Sequence, residues 1–422
     1  MHKISSLFNK LKNGLLQMFG ANIINKIVTM ISGMIVARML DQQNYGVWSS
    51  VINLFSYFSI VNGLGIVNGA FQFGAENQGK EKEHAYLKYA IRSSVIIAIV
   101  ITLTSEIIFW SIGKSSINRY LSFYLPLLLL EGLFNCLVIV LRCENRIKDY
   151  AKVLNINTIL FTLGTCIGST IGIPGMIMGR YLAYILTLLC LFYFLKKDIN
   201  KLYVARTLSM EEKVEMWKFS IISCVCSAMN SLLYLLDVTM ITSMIGNPEE
   251  TAIYKVATII PNALSFIPSS IMVCILPNLI QHNKDYSWLR KKIRIYYISL
   301  AALNISITIF VIIFARLGLR IMVGNKYDAA VEPLRILMFG YAISSTLRIM
   351  SANILFGLKK VHINLFVNFI AGLFDVALNY FFIINMGMMG ASYATVISEA
   401  IASVLAFVAV IYYVYLKRYK EN

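Results

Sequence analysis

Asn22, Asn25, Lys26, Thr29 and Gly33 recur at spacings of three and four inside the apolar stretch from Leu15 to Trp48. At about 100° per residue these positions share one face of a helix. Ile23, Ile24, Ile27, Val28, Met30 and Ile31 cover the remaining faces and suit lipid or packed helices. Amides, a hydroxyl and one ammonium offer hydrogen bonds and anion binding rather than bond-breaking chemistry. An unpaired charge in a bilayer costs at least ~2.5–3.5 kcal/mol, so this stripe is expected to line a cavity. A purely structural pairing of Lys26 is the alternative, and recurrence of the stripe weighs against it.

About 205 residues later, Ser223, Ser227, Asn230, Tyr234 and Asp237 follow the same helical spacing. Asn22, Asn25 and Thr29 fall on Ser227, Asn230 and Tyr234 at one constant offset. The next segment repeats as well: Tyr45 to Trp48 with Ser49, Ser56, Ser59 and Gly63 matches Ala252 to Tyr254 with Lys255, Asn262, Ser265 and Ser269. Two polar-striped helix pairs in register indicate an internal duplication. The expected binding and translocation residues are Asn22, Asn25, Lys26, Thr29, Ser227, Asn230, Tyr234, Asp237, Lys255, Asn262 and Arg348. Asp237 is expected to pair, directly or through water, with Lys255 or another cation of the cavity, or else to order helix packing. Arg348 and Arg180 lie inside apolar spans and either join the cavity wall or stabilise packing. Glu106, Glu131, Asp375 and Glu399 are intramembrane carboxyls, paired or protonated, with proton or sodium coupling as the functional alternative.

The elements that must position these residues are membrane helices. Of 422 residues, 58% are hydrophobic and 14% charged, and the mean hydropathy is +0.70; soluble domains carry ~25% charged residues. The net charge of +17 lies in clusters between apolar runs, which marks membrane topology rather than nucleic-acid binding. The seven cysteines sit in or beside apolar runs and read as buried thiols. The four histidines form no ligand pattern, so neither a metal centre nor a cofactor is expected. Gly113-Lys114-Ser115 lacks the first glycine of a phosphate-binding loop, since position 108 is isoleucine.

Residues 1 to 14 read as a basic interfacial helix. Twelve spans follow, at about 16–40, 47–74, 89–112, 120–141, 153–173, 176–195, 217–245, 252–280, 296–315, 333–356, 361–385 and 389–416. Segments assigned to the inside hold 27 of the 38 basic residues, which places both termini in the cytoplasm. The expected architecture is an all-α integral membrane protein with about twelve transmembrane helices. Two six-helix lobes, 1–200 and 201–422, are related by a pseudo-twofold axis along the membrane normal. Ser209-Met210-Glu211-Glu212 predicts a capping box at the seventh span. Gly172-Ile173-Pro174-Gly175 and Gly387-Met388-Met389-Gly390 predict tight turns. Gly63, Gly65 and Gly69 in span two, and Pro261, Pro268 and Pro277 in span eight, predict bends and close helix approach.

The chain resembles the multidrug/oligosaccharidyl-lipid/polysaccharide exporter superfamily, on the side of the O-antigen-type flippases. The resemblance rests on Val36-Ala37-Arg38-Met39-Leu40-Asp41 before Asn44-Tyr45-Gly46, on Gly63-Leu64-Gly65, and on Gly387-Met388-Met389-Gly390-Ala391-Ser392. It implies a multi-pass bacterial cytoplasmic (inner) membrane transporter. The implied substrate is an undecaprenyl-diphosphate-linked oligosaccharide, flipped by alternating access through a cationic cavity for O-antigen, lipopolysaccharide or capsule biosynthesis. Membrane lipids and other assembly proteins, such as a polymerase, are the expected partners; nucleic acid is not. No enzymatic activity is expected. A multidrug extruder coupled to H+ or Na+ is the alternative, kept open by Asp237.

Overall fold

The computed structural model describes residues 25–416 apart from 78–80, 113–114, 145, 197, 282–284 and 359. Among the described residues the chain is helical, with no strand. Asn22 and the basic segment 1 to 14 lie outside them.

The chain divides into two compact units: residues 1–40 with 51–231, and residues 41–50 with 232–422. The division thus falls inside two helices rather than in the connection near residue 200.

Unit 1 holds α1 (residues 25–39), the later part of α2 (Gln42–Val61), α3 (Ile66–Glu76), α4 (Glu81–Ile112), α5 (Ser116–Tyr124), α6 (Leu127–Cys143), α7 (Ile147–Gly168), α8 (Ile173–Leu195), the short α9 (Ile199–Val204) and the start of α10 (Met210–Ile245). Its centre is α6, whose Leu127, Leu128, Val140 and Leu141 are fully buried. Helices α7 and α8 approach backbone to backbone: a Cβ on Gly164 or Gly179 would collide with the facing glycine's carbonyl, and Gly168 and Gly175 repeat the arrangement one turn on. Small residues permit such approach where lipid provides no hydrophobic drive between helices. On their outer faces Leu163, Ile167, Met178, Leu182 and Leu189 stand exposed, as helices solvated by lipid require.

Between α2 and α3 the chain bends by 42°. Gly63, Leu64 and Gly65 all take positive φ, at 78°, 47° and 76°. A leucine there is a costly conformation for an L-residue. The glycines also admit α10, because a Cβ on Gly65 would strike the Ser220 carbonyl and one on Gly69 the Ser220 side chain.

The segment joining the two halves is strapped onto unit 1. Asp198 takes Arg146 at 2.9 Å and Lys201 at 3.0 Å. Lys88 donates to the carbonyls of Tyr203 and Ala205 at 2.7 and 2.9 Å. Glu212 takes Arg206 at 2.7 Å and Lys82 at 3.0 Å. The predicted capping box is formed: the Ser209 amide donates to Glu212 at 2.9 Å, and the Glu212 amide to the Ser209 hydroxyl at 3.3 Å.

Unit 2 holds the start of α2, the rest of α10, α11 (Pro248–Leu264), α12 (Phe266–Gln281), α13 (Tyr286–Val323), α14 (Val331–Ile343), α15 (Ile349–Gly357), α16 (Val361–Met386) and α17 (Met388–Ile411). α16 and α17 form a hairpin through Gly387 at φ 58°, and a Cβ on Gly390 would strike the Phe382 carbonyl. A π-helical turn, Ser344–Arg348, joins α14 to α15.

Among the described residues helix is interrupted within several of the predicted stretches, at 62–65, 125–126, 169–172 and 265. Among the described residues seven helices are long and apolar enough to cross a membrane, or eight if the bent pair α2 and α3 counts as one span.

Candidate functional site

Unit 2 contains a buried polar track carried by α10, α11, α16 and α17. At its head is Asp237 on α10, 8% exposed. Tyr254 on α11 donates its hydroxyl to Asp237 Oδ2 at 2.7 Å. Asn379 on α16 donates to Oδ1 at 2.9 Å, and the Thr395 hydroxyl on α17 lies 2.9 Å from Oδ2. The Tyr254 and Thr395 hydroxyls are themselves 3.0 Å apart.

Of the two forms of pairing expected for Asp237 and Lys255, direct and through water, the direct one is not seen. No ion pair joins the two among the described residues; the neutral donors of Tyr254, Asn379 and Thr395 hold the carboxylate. Neighbouring helix positions diverge by about 100°, so the face that brings Tyr254 to Asp237 turns Lys255 aside. Lys255 is half-buried, and among the described residues its ammonium has no ion-pair partner.

One turn along α16 from Asn379 lies Asp375, 4% exposed. Ser398 donates to its Oδ1 at 2.7 Å. Asp375 Oδ2 and Asn379 Oδ1 are buried acceptors with no hydrogen-bond partner. Two buried carboxyls with an amide and a hydroxyl make an oxygen-rich set, and the two orphaned acceptors call for positive charge. Hard monovalent cations take oxygen ligands of this kind, and a proton would serve the same need. Among the described residues no three His, Cys, Asp or Glu side chains gather at a metal-binding distance.

The track continues along α17 to Glu399, which pairs with Arg348 at 2.7 Å. Arg348 also donates to Asn368 Oδ1 at 3.2 Å. The guanidinium borders a cavity of about 210 Å3 lined by Asn353, Asn364, Asn368, Ile349 and Val367 among others. The π-helical turn ends at Arg348; such turns shift the helix register locally and recur at functional sites. Glu399 Oε2 remains a buried acceptor without a partner. Arg348 therefore borders a cavity of mixed lining and braces packing at once.

The remaining predicted residues lie on helices of both units. Asn25, Lys26 and Thr29 lie on α1 of unit 1. Lys26 and Thr29 are exposed, and Asn25 Oδ1 is a buried acceptor without a partner. Thr29 returns its hydroxyl to the Asn25 carbonyl at 2.7 Å. Ser227 is exposed on the unit 1 part of α10, and Asn262 is exposed on α11 in unit 2. Asn230 and Tyr234 lie on α10, where only their backbone is described. Arg180 in unit 1 donates to Thr165 at 3.1 Å and to the Tyr124 hydroxyl, and lies 4.2 Å over the Phe161 ring. Sequence reasoning missed Tyr254, Asn379, Thr395 and Ser398. The available signal was helical spacing, Asp375 to Asn379 and Thr395 to Glu399, each pair four residues apart in an apolar run.

The long apolar helices mark a multi-pass membrane protein. Lipid II flippase MurJ, in an inward closed conformation, matches at a TM-score of 0.77 and 14% identity over 94% of this chain and 87% of that one. An inward-facing multidrug resistance MATE family transporter of the MOP superfamily matches at 0.75 and 15% identity, over 93% and 96%. A MOP superfamily transporter from Pyrococcus furiosus, described by the reverse polarity of its binding pocket, matches at 0.59 and 15% identity, over 96% of each chain. A comparison with curated protein sequences gives no match. The polysaccharide biosynthesis protein family matches residues 11–282. The chain belongs to that family.

Proposed function

We propose that this protein is a secondary transporter that flips lipid-linked oligosaccharide repeat units, of the undecaprenyl-diphosphate type, across the bacterial cytoplasmic membrane for surface-polysaccharide assembly. The observation that carries the reading is the match to the polysaccharide biosynthesis family over residues 11–282. The described cavity at Arg348 supports it chemically. At about 210 Å3 it is smaller than the ~300–1,000 Å3 of sites for drug-sized ligands, a size for one sugar or headgroup fragment. Asn353, Asn364 and Asn368 offer amides to sugar hydroxyls. The Arg348 guanidinium is suited to a phosphate, which would compete with Glu399 for it.

Twelve spans in two six-helix lobes about an axis along the membrane normal, with cytoplasmic termini, belong to this reading. Their support is the sequence repeat and the distribution of basic residues. Lys26, Lys255 and the polar residues of α1, α10 and α11 are proposed to handle substrate during alternating access. The set Asp237, Asp375, Asn379 and Thr395 is proposed to hold a proton or a monovalent cation such as Na+, whose binding ties transport to an ion gradient. Membrane lipids and a polymerase are the proposed partners.

A multidrug extruder is the second reading, favoured by the likeness to MATE transporters and by the buried carboxyls of unit 2, which suit cationic drugs. Purified protein in liposomes, given a fluorescent lipid-linked oligosaccharide and, separately, a cationic dye, separates the two. Movement of the oligosaccharide stimulated by an ion gradient is expected. Movement of the dye alone would replace the first reading with the second.

A further inference from the structure

The bend between α2 and α3 in unit 1 carries polar groups that the proposed transport site does not use. Ser59 and Asn62, three residues apart at the end of α2, face α6. Ser59 donates to Glu131 Oε1 at 2.8 Å, and the Asn62 amide donates to the Leu128 carbonyl at 2.9 Å. Positions 128, 131 and 132 share one face of α6. The Asn62 amide packs beside Gly132, where a Cβ would lie 3.3 Å from the Ser94 hydroxyl and 3.4 Å from Asn62 Oδ1 and Nδ2. Two acceptors on these facing turns are left over: Glu131 Oε2 and Asn62 Oδ1 are both buried without a hydrogen-bond partner. Directly after Asn62 come the three positive-φ residues of the bend. A carboxyl with one satisfied and one orphaned oxygen lacks one donor, and so does the orphaned Asn62 amide oxygen on the facing turn.

We propose that Glu131 is an exchangeable proton site at the α2–α3 bend, where loading and unloading one proton changes the hydrogen bonding that holds the hinge. Uptake moves one proton from water to Oε2 and leaves a neutral carboxylic acid; release returns it to water, and no other bond is made or broken. The new O–H adds a donor to a face of α2 and α6 that holds two orphaned acceptors. The titratable groups around it are Arg180 and Tyr184 on α8 and Tyr124 on α5. From α2 and α4 the neutral Ser59, Asn62 and Ser94 face this part of α6. The site is separate from the Asp237 set of unit 2, and it stands whatever substrate is carried.

Infrared spectroscopy of the full chain in liposomes, titrated with pH in sodium and then in potassium, tests this without substrate. A protonated-carboxyl band that titrates should vanish in Glu131→Gln, persist in Asp375→Asn, and keep the same midpoint in both salts. Glu131→Asp guards against misfolding of the Gln variant and should retain a titrating band at a shifted frequency. Titrating bands none of which is lost in Glu131→Gln, or no band regained in a folded Glu131→Asp protein, overturn the proposal. A midpoint that follows sodium replaces the proton with a metal cation. Amide exchange across residues 62–66 should differ between wild type and Glu131→Gln where Glu131 is ionised and converge where it is protonated. Equal exchange under both conditions overturns the hinge role.

Discussion

Asp237 is gripped by three neutral donors while Asp375 keeps an oxygen unused, so the two carboxyls should respond differently to substitution. With the cation set as proposed, Na+ should raise the thermal-unfolding midpoint of the wild-type protein and leave that of Asp375→Asn unmoved, read by thermal shift in detergent. Thr395→Val removes a donor to Asp237; a hydrogen bond to a charged group contributes roughly 1.5–3 kcal/mol, so half-saturation by cation should shift by about tenfold or more. Lys26 stands exposed on α1. Lys26→Ala should lose transport at normal membrane abundance and Lys26→Arg should retain more, measured in the liposome assay; normal transport by both variants would remove Lys26 from the site. At this scale the sequence exposes charges stranded in apolar runs, which is why Asp237, Lys255 and Arg348 are legible. Partner choice is not: Asn379 and Thr395 reach Asp237 across 142 and 158 residues, and one helix position decides between Tyr254 and Lys255.

Helix ends and helix contacts carry their own tests. Gly179→Ala drives a methyl into the Gly164 backbone, and overpacking of this kind costs about 1–3 kcal/mol; the detergent-solubilised variant should unfold at lower temperature, whereas Leu182→Ala on the exposed outer face of α8 should not. At the start of α10 the Arg206 guanidinium, and then the Ser209 amide, hold the Glu212 carboxyl down at about 2 from an ordinary 4.5. The resulting stabilisation is complete above pH 4.5 and is lost as pH falls toward 2. Thermal midpoints measured across that window should therefore fall less in Glu212→Gln than in wild type. These elements are legible because capping boxes and glycine turns are local signals. The π-helical turn at Ser344–Arg348 is illegible because its extra residue follows no composition rule.

Over the whole chain, hydropathy announces a membrane protein, and the long apolar helices among the described residues agree. Sidedness rests on charge distribution: cysteine labelling from outside should reach a probe at Glu249 and miss one at Lys201, and the reverse pattern would invert the topology. Where one compact unit ends and the other begins is not written in composition, because α2 and α10 each run through the boundary without a break. The strapped connection then has a genetic consequence. A chain made as two polypeptides, 1–206 and 207–422, gives the second fragment the start of α10, which completes unit 1, and the first fragment residues 41–50, which complete unit 2. Each fragment holds a part the other lacks, and Arg206 and Glu212 stand on opposite sides of the cut. Co-expressed halves should reassemble, and either half expressed alone should be degraded.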